Sequence, residues 1–218
     1  MRLTISKENY LKAIAEAESE GEIVKSVTLS RWLAVSAPAV TMAIKRLRRD
    51  ALIRVGVEGQ ITLTPAGREI ANRVLNRHHL IERMLTEIFG LEWYKVHDEA
   101  EQLEHAVSTD FESKLIEKLG TGGVCPHGNM VGTDTPRDRR ERGLKPLDEA
   151  RADECLTVVS VFERDRSLLE YLNDAGIRPG VRMQVLSSNG GVELEAGGQQ
   201  FRIERTVAAK VWVKSDLV

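Results

Sequence analysis

Residues 78–105 read HHLIERMLTEIFGLEWYKVHDEAEQLEH, two helical patterns on either side of a break around Gly90. In the first pattern, His78 and Glu82 lie four residues apart, so both side chains project from one side of a helix. The second pattern places four such groups on one helix face: His97, Glu101, Glu104 and His105. Imidazoles and carboxylates gathered in this way predict a site for a divalent metal ion. The alternative is a solvated polar face on each helix.

The charge of the 218-residue chain is unevenly distributed along its length. Residues 1–77 carry 13 Lys and Arg against 8 Asp and Glu, whereas residues 78–120 carry 4 against 10. The net formal charge of the whole chain is only −2. A basic N-terminal module followed by an acidic middle module favours nucleic acid as the partner of the first and cations as the partners of the second.

The chain has two cysteines, Cys125 and Cys155, which are too few for the disulfide framework of a small secreted protein. It opens with no signal peptide, and no apolar run approaches the roughly 20 residues that span a bilayer. We therefore expect a cytoplasmic protein with no membrane partner.

The N-terminal module has the order of a winged helix-turn-helix. An amphipathic helix is predicted from Ser6, its expected N-cap. Two short helices follow, with Thr28 as the expected cap of the first and Ser36 as that of the second. Alternating residues around a turn at Glu58-Gly59 predict a β-hairpin wing, and Thr64-Pro65 opens another helix.

The second of the short helices is basic and begins with small residues, which would let its backbone approach the base edges of DNA. The basic residues further along could neutralise phosphates. The candidate DNA-binding residues are Ser36, Ala37, Pro38, Ala39, Thr41, Lys45, Arg46, Arg48 and Arg49. The alternative is a small basic helical domain that binds nothing.

The middle module is predicted to be helical. The helix from Pro65 continues to about Phe89 and so bridges into the acidic region, and two further helices are predicted at about 93–106 and 109–119. Three helices bury a modest core, and helix-turn-helix proteins commonly dimerise on palindromic sites. We therefore expect a homodimer through this module.

After Cys155 the sequence becomes rich in β-strand patterns. Five short apolar segments separated by glycine turns predict a small barrel, interrupted by a helix at about 167–175. Residues 120–152 show no core period and are interpreted as a mostly irregular connector. The expected fold is mainly α with a small all-β C-terminal domain, divided into a DNA-binding domain (1–72), a helical dimerisation and metal-binding domain with the connector (73–145) and a β domain (152–218).

Three segments together carry a resemblance to a known family. They are VSAPAVTMAIKRLRRDALI, RHHLIERMLTEIFGLEWYKVHDEAEQLEH and CPHGN, in that order. The chain resembles the diphtheria toxin repressor family of metal-activated, DNA-binding repressors, and the resemblance covers essentially its whole length. It implies a dimer on palindromic operator DNA, no small organic substrate, and a C-terminal SH3-like domain of the FeoA type.

The resemblance also implies two metal sites per subunit. The primary, activating site falls on Asn9, Glu101, Glu104 and His105. The ancillary site draws on His78, Glu82 and His97, although in manganese-type members His78 can join the primary site. In long-form members Cys125 and His127 of CPHGN also serve as ligands, together with an early acidic residue of the C-terminal domain. Asp165 is the closest match for that residue, with Glu163 as the alternative.

Three positions of the implied primary site depart from the patterns of the family. Glu101 stands where iron-type members have a cysteine, and a carboxylate favours Mn²⁺ over softer ions. Asn9 stands where manganese-type members usually have Asp, and Lys12 stands where some have Glu. Lys12 argues against a cluster of two ions, so we expect one primary ion and one ancillary ion, with Mn²⁺ preferred and Fe²⁺ as the rival.

Two other functions are compatible with parts of the sequence. A catalytic di-metal centre would need a repeated Glu-x-x-His pattern, which this chain lacks, and it would leave the winged helix unexplained. A winged-helix regulator that senses something other than metal would leave the His and Glu face merely solvated. The resemblance favours a metal-dependent repressor of metal-homeostasis genes, in which metal stabilises the DNA-competent dimer.

Overall fold

The computed structural model describes residues 3–120, 122–130, 132 and 134–216. Its N-terminal module contains helices and one short hairpin packed around a core that includes Leu11, Ile14 and Leu47. The elements are α1 (Ile5–Ser19), α2 (Ser26–Leu33), α3 (Ala37–Arg49), β1 (Ile53–Val55) and β2 (Ile61–Leu63). This order is the predicted helix, helix-turn-helix and wing.

Helix α3 begins as the sequence predicts. The Ser36 hydroxyl accepts a hydrogen bond from the backbone N–H of Ala39, and Pro38 occupies the first turn, where its missing N–H costs nothing. Ala34 ends α2 in the left-handed conformation (φ 51°), and α2 and α3 are bent at 114° to each other. That angle is the one expected of a helix-turn-helix.

The predicted caps of α1 and α2 are wrong. Thr4, not Ser6, caps α1, because the Thr4 backbone is extended and its hydroxyl accepts from the N–H of Lys7. Helix α2 begins at Ser26, and the Thr28 hydroxyl inside its first turn accepts from the N–H of Lys25. Ser6 therefore lies within the first turn of α1, and Thr28 lies within the first turn of α2, instead of preceding these helices.

The wing and the helix after it follow the predicted signals. Strands β1 and β2 pair antiparallel around a turn in which Gly59 has a φ of +75°. Helix α4 (Pro65–Arg83) is capped by Thr64, whose hydroxyl accepts from the N–H of Gly67 at 3.1 Å. Within the described residues no single helix has the length and apolar character to cross a membrane; only the bent pair of α2 and α3 meets those criteria, by combined length and composition.

Helix α4 connects the N-terminal module to the middle one. Ala71 and Leu75 belong to the N-terminal core, whereas Leu80 and Ile81 belong to the middle core. The predicted continuation to Phe89 is a π-helical turn, Met84–Ile88. Helices α5 (Val96–Leu103) and α6 (Thr109–Leu119) complete the module, with α5 shorter than predicted.

The described part of the connector is more ordered than the sequence indicated. Val124 and Met130 form an antiparallel bridge, and residues further on form α7 (Pro136–Glu141) and β3 (Leu144–Pro146). Helix α7 is too short and too polar to show a core period. A capping box between Thr135 and Asp138 begins it. Within its described residues the segment is thus partly irregular, as predicted, but it also contains a helix and a strand that were not predicted.

The C-terminal module contains the strands β4 (Cys155–Val161), β5 (Arg182–Ser187), β6 (Val192–Ala196), β7 (Gln199–Ile203) and β8 (Val211–Ser215). Together with β3 they form a six-stranded antiparallel sheet with the order β3-β8-β4-β5-β6-β7. Five of its strands were predicted, and β3 adds a sixth by pairing with β8. Within the described residues the edge strands β3 and β7 do not pair with each other. Its helices are α8 (Arg166–Asp174) and α9 (Arg205–Ala208).

Candidate metal centre

Side chains from the middle module, the connector and the C-terminal module meet in a buried cluster between the middle and C-terminal modules. Helix α4 contributes from one side and α5 from another, while the CPHGN loop and the residues after β4 close it. The members of this buried cluster are His78, His79, Glu82, His97, Cys125, His127 and Glu163, each 8% exposed or less.

Glu82 lies at the centre of one half of the buried cluster. Its Oε1 is 3.1 Å from His78 Nε2, 3.3 Å from His97 Nδ1 and 3.4 Å from His127 Nδ1. His78 Nε2 and His97 Nδ1 are 3.0 Å apart. Two ligands that share one ion at about 2.1 Å lie roughly 3–4 Å from each other, so these spacings suit a common ion.

Glu163 lies at the centre of the other half. Its Oε2 accepts a hydrogen bond from the Cys125 thiol at 3.3 Å and lies 3.5 Å from His127 Nδ1, and its Oε1 lies 3.7 Å from His79 Nε2. Two groups of ligand atoms lie mutually within 4.8 Å: His78, Glu82, His97 and Glu163, and His79, Glu82, Cys125 and Glu163.

Asp165, the closest match from the sequence, is not in this cluster. Its carboxylate accepts from the N–H of Leu168 and so caps α8, and it pairs with Lys210 at the surface. Because the Asp165 carboxylate is held at the start of α8 and by Lys210, it does not reach the buried cluster. The structure brings in Glu163, the alternative from the sequence, instead.

A second group, the interdomain cluster, joins α1 to the end of α5. Its members are Asn9, Lys12, Glu16, Glu101, Glu104 and His105. His105 Nε2 lies 2.6 Å from Asn9 Oδ1 and 3.3 Å from Glu104 Oε1. The Lys12 ammonium donates to Glu104 Oε2 at 2.7 Å and lies 3.0 Å from His78 Nδ1. Because His78 Nε2 faces Glu82, this imidazole touches both clusters.

Glu101 faces cations rather than the other three predicted primary ligands. Its Oε1 accepts from Arg164 at 3.1 Å and lies 3.6 Å from His97 Nε2. Arg164 also donates to Glu16 at 2.7 Å and to the backbone oxygen of Trp32 at 3.3 Å, and it lies over the Trp32 ring. The structure therefore brings Asn9, Glu104 and His105 into direct contact and leaves Glu101 beside them, bound to Arg164.

Burial and neighbouring charges set the protonation of the buried cluster. Burial opposes charge on Glu82, but His127 and His78 outweigh it and hold the pKa of this carboxyl well below its usual value. Burial likewise opposes charge on His97, yet hydrogen bonds with Glu101 and Glu82 raise the pKa of His97 to about 10. Burial together with the charges of Glu163 and Glu82 raises the pKa of the Cys125 thiol well above its usual value.

The interdomain cluster is held in its charged form. Hydrogen bonding to His97 lowers the pKa of Glu101, with Lys12 and Arg164 adding to the effect against burial. Burial alone would lower the pKa of Lys12, but Glu16, Glu104 and Glu101 raise it above its usual value. The Lys12 ammonium and the carboxylates of Glu101 and Glu104 are therefore ionised at neutral pH.

The donors of the buried cluster fit a metal ion. Three of its buried atoms have no hydrogen-bond partner among the described residues: Glu82 Oε2, His79 Nδ1 and His127 Nε2. Buried polar atoms are normally paired, so unpartnered ligand atoms in one cluster indicate a missing bonding partner. Imidazole, carboxylate and thiolate are ligands for divalent transition metals.

The candidate DNA-binding residues lie on the outside of the N-terminal module. All nine predicted positions of the α2–α3 turn and α3 are exposed, while Val40 and Leu47 on the opposite face of α3 are buried. The structure therefore presents the small residues at the start of α3 and the basic residues near its end on one accessible surface.

Sequence reasoning missed His79 of the buried cluster and Glu16 of the interdomain cluster, and it missed Arg164, which binds Glu16 and Glu101. Helical spacing does not group His79 with His78 and Glu82, because adjacent residues lie about 100° apart around a helix and so on different faces. The doublet His78-His79 was the available signal. Arg164 gave no signal, because its partners Glu16 and Glu101 come from two other modules.

Three family profiles match the sequence in the same order as the modules. "Iron dependent repressor, N-terminal DNA binding domain" matches residues 2–57, "Iron dependent repressor, metal binding and dimerisation domain" matches residues 64–131, and "FeoA domain" matches residues 145–215. Together the three matches extend over most of the chain.

Two named relatives align over most of the chain. The diphtheria toxin repressor of Corynebacterium efficiens is 31% identical over 222 residues, covering 97% of this chain and 96% of the relative. The iron-dependent repressor IdeR of Mycobacterium tuberculosis is 32% identical over 200 residues, covering 87% of each.

Solved structures of manganese-type regulators are also similar. A manganese-dependent transcriptional repressor in complex with manganese superposes with a TM-score of 0.84 at 31% identity, covering 96% of this chain and all of that one. ScaR with bound Zn²⁺ gives a TM-score of 0.79 at 27% identity over 96% of this chain and 99% of that one. Iron-type and manganese-type relatives are thus about equally similar in sequence.

Proposed function

The chain belongs to the diphtheria toxin repressor family of metal-dependent transcriptional repressors, and from that membership we propose that Mn²⁺ activates it, with Fe²⁺ as the alternative metal. It is a DNA-binding regulator and not an enzyme. The proposal concerns which metal it senses, which residues hold that metal, and how binding controls the DNA-binding surface.

The observation that carries the proposal is the interdomain cluster. Asn9 lies on α1 of the DNA-binding module, whereas Glu104 and His105 lie at the end of α5 in the middle module. A metal held among these side chains would fix the two modules relative to each other. If the ion binds the DNA-competent arrangement more tightly, it shifts the population towards that arrangement. A coupling of about 1–3 kcal/mol would change operator affinity by about 5- to 150-fold.

We assign two metal sites to each subunit. The primary site comprises Asn9, Glu101, Glu104 and His105, which requires Glu101 to turn from Arg164 towards the ion. The ancillary site is the buried cluster, in which Glu163 replaces Asp165 as the ligand from the C-terminal module. The candidate ancillary ligands are His78, His79, Glu82, His97, Cys125, His127 and Glu163. The coordination number of the ion determines how many of them bind it.

The donor atoms support Mn²⁺ at the primary site. All of its donors are oxygen or imidazole nitrogen, which suit Mn²⁺ and Fe²⁺, and it has no thiolate to favour softer ions. Cys125, the one thiol among the proposed ligands, lies in the buried cluster, where its raised pKa requires that a bound metal displace a proton.

We further propose that the active form is a homodimer on a palindromic operator in the cytoplasm, controlling genes of metal homeostasis. Large apolar side chains of the middle module remain exposed in the single chain, including Phe89 (65%) and Phe111 (45%). A two-fold partner would cover such a face. Metal excess would then repress uptake genes, and scarcity would release them.

The test is operator binding in buffered metal. Affinity for DNA upstream of metal-transporter genes is measured in chelator and then with micromolar free Mn²⁺, Fe²⁺ (anaerobic) or Zn²⁺. We expect tight binding with Mn²⁺ that disappears in chelator. Preference for Fe²⁺ would contradict the metal assignment, and binding indifferent to all metals would contradict metal sensing altogether.

A pair of variants ties the effect to the primary site. Glu101→Ala is expected to abolish metal-dependent DNA binding, whereas Glu99→Ala, an exposed glutamate on the same helix, retains it. Unchanged metal dependence in Glu101→Ala would favour a winged-helix regulator that senses something else.

A further inference from the structure

Lys12 lies where a cation site would otherwise form. Its side chain is 3% exposed, on the inner face of α1. The ammonium is 2.7 Å from Glu104 Oε2, 3.0 Å from His78 Nδ1, and 3.8 Å from both Glu16 Oε1 and Glu101 Oε1. Three carboxylates and an imidazole thus surround one point, and a lysine nitrogen occupies it.

The groups around Lys12 resemble the ligand set of a metal ion more closely than the partner of a single ion pair. Glu16 and Glu101 lie beyond hydrogen-bonding distance of the ammonium. Glu16 is 8% exposed, and its Oε1, which faces Lys12, has no hydrogen-bond partner among the described residues. One ammonium leaves part of this ligand set unused, because it donates only three hydrogen bonds.

We propose that Lys12 is a built-in cation that replaces a second divalent ion and limits the interdomain cluster to one metal. This inference rests on the proposed function, since it concerns the number of ions at the same site. Lys12 also connects α1 to the end of α5 through its hydrogen bond to Glu104. The activating metal would make a second connection between α1 and the end of α5 through Asn9 and His105.

The charge balance gives the inference a definite consequence. Glu16, Glu101 and Glu104 face Lys12 and Arg164, which leaves one negative charge. Substituting Lys12 by glutamate would leave three negative charges and supply another ligand oxygen. One additional divalent ion would restore the original balance. Lys12→Gln gives a smaller change in the same direction and adds an amide oxygen.

The experiment counts ions in the full-length protein with Mn²⁺ alone as the probe. Equilibrium dialysis gives the number of Mn²⁺ per chain, and electron paramagnetic resonance detects spin coupling between ions about 3.5–4 Å apart. We expect Lys12→Glu to bind one more Mn²⁺ per chain than the unsubstituted protein and to show a coupled signal. Adding Glu16→Gln to Lys12→Glu should remove both.

Lys7→Gln is the matched control. Lys7 lies on the same helix and pairs with Asp50 at 2.7 Å, outside the cluster, so its loss should leave the ion count unchanged. If Lys12→Glu fails to fold without metal, Lys12→Gln decides the question, because it adds no negative charge. Folded Lys12 variants with the original ion count would overturn the inference. Failure of the proposed function is distinct, because it would appear as metal-indifferent DNA binding of the unsubstituted protein.

Discussion

Two acidic residues near the start of the C-terminal module show how local geometry assigns roles to similar side chains. Glu163 follows β4 and turns inward, where it meets Cys125, His127 and His79. Asp165 is two positions later and caps α8 at the surface. Their chemistry is nearly the same, so their position relative to the helix start decides which one can serve as a ligand.

Substitution of these two acids tests that assignment. Glu163→Gln should lower the Mn²⁺ affinity of the buried cluster by at least about tenfold, since even supporting residues of metal sites contribute that much. Asp165→Asn should leave the affinity unchanged within about twofold, and it should cost little stability because Asn is also a good N-cap. Metal titration calorimetry measures both. Equal losses in the two variants would contradict the ligand assignment.

Metal binding to the buried cluster should release protons. A ligating imidazole must be neutral and a ligating cysteine must be a thiolate, whereas the raised pKa values of His97 and Cys125 keep both protonated at neutral pH without metal. Affinity for Mn²⁺ should therefore rise as the pH rises, by about tenfold per pH unit for each proton displaced.

The proton count can be measured directly. Calorimetric titrations at pH 6.5 and 7.5, in two buffers that differ in ionisation enthalpy, give the number of protons released per ion. Cys125→Ser should release fewer protons than the unsubstituted protein. An affinity that does not change over this range would contradict the participation of both His97 and Cys125.

The sequence predicted the helical part of these sites because helical spacing alone places the side chains on one face. His78 and Glu82 on α4, or His97 and Glu101 on α5, could be grouped without knowing the tertiary structure. The contacts of Lys12 and Arg164 could not, because each depends on how separate modules pack. The sequence marked Lys12 as an unusual residue, and the structure shows which carboxylates surround its ammonium.

At the scale of elements, the signals that succeeded were those contained within a few residues. Ser36 and Thr64 cap the helices that follow them, since a cap needs only its own hydroxyl and the next turn. Strand β3 was missed because its partner is β8, at the far end of the chain. A three-residue strand carries no pattern of its own that could reveal a distant partner.

The start of α4 depends on close backbone packing. A Cβ on Gly67 would lie 2.0 Å from the backbone oxygen of Leu52, which also accepts from the N–H of Thr64. Gly67→Ala would gain about 1 kcal/mol of helix propensity, but the overlap with backbone would outweigh it. We expect a net loss of roughly 1–3 kcal/mol, the usual cost of overpacking, in urea unfolding.

Ala66→Gly provides the comparison for that change, because Ala66 is exposed on the same turn. It should lose only the propensity difference of about 1 kcal/mol or less. If Gly67→Ala proved more stable than the unsubstituted protein, the packing of the wing against α4 would have to be looser than the structure indicates.

At the scale of the whole molecule, the adjacent residues Glu163 and Arg164 connect the C-terminal module to both other modules. Glu163 enters the buried cluster, while Arg164 binds Glu101 of the middle module and Glu16 and Trp32 of the DNA-binding module. The β domain therefore contributes contacts to both clusters, Glu163 to the buried cluster and Arg164 to the interdomain cluster. Glu101 must also exchange Arg164 for metal if it is to serve as a primary ligand.

Arg164→Gln tests this connection. Hydrogen bonds to charged groups contribute about 1.5–3 kcal/mol, so their loss should speed amide exchange in α2 and at the end of β4 by about tenfold or more in metal-free protein. Hydrogen-exchange mass spectrometry measures this, with Arg182→Gln, which breaks the surface pair with Asp216, as the control. The same variant should bind Mn²⁺ at the primary site more tightly, because Glu101 no longer has to leave a guanidinium. Unchanged exchange and unchanged affinity together would show that Arg164 is an incidental contact and that the modules are held by packing alone.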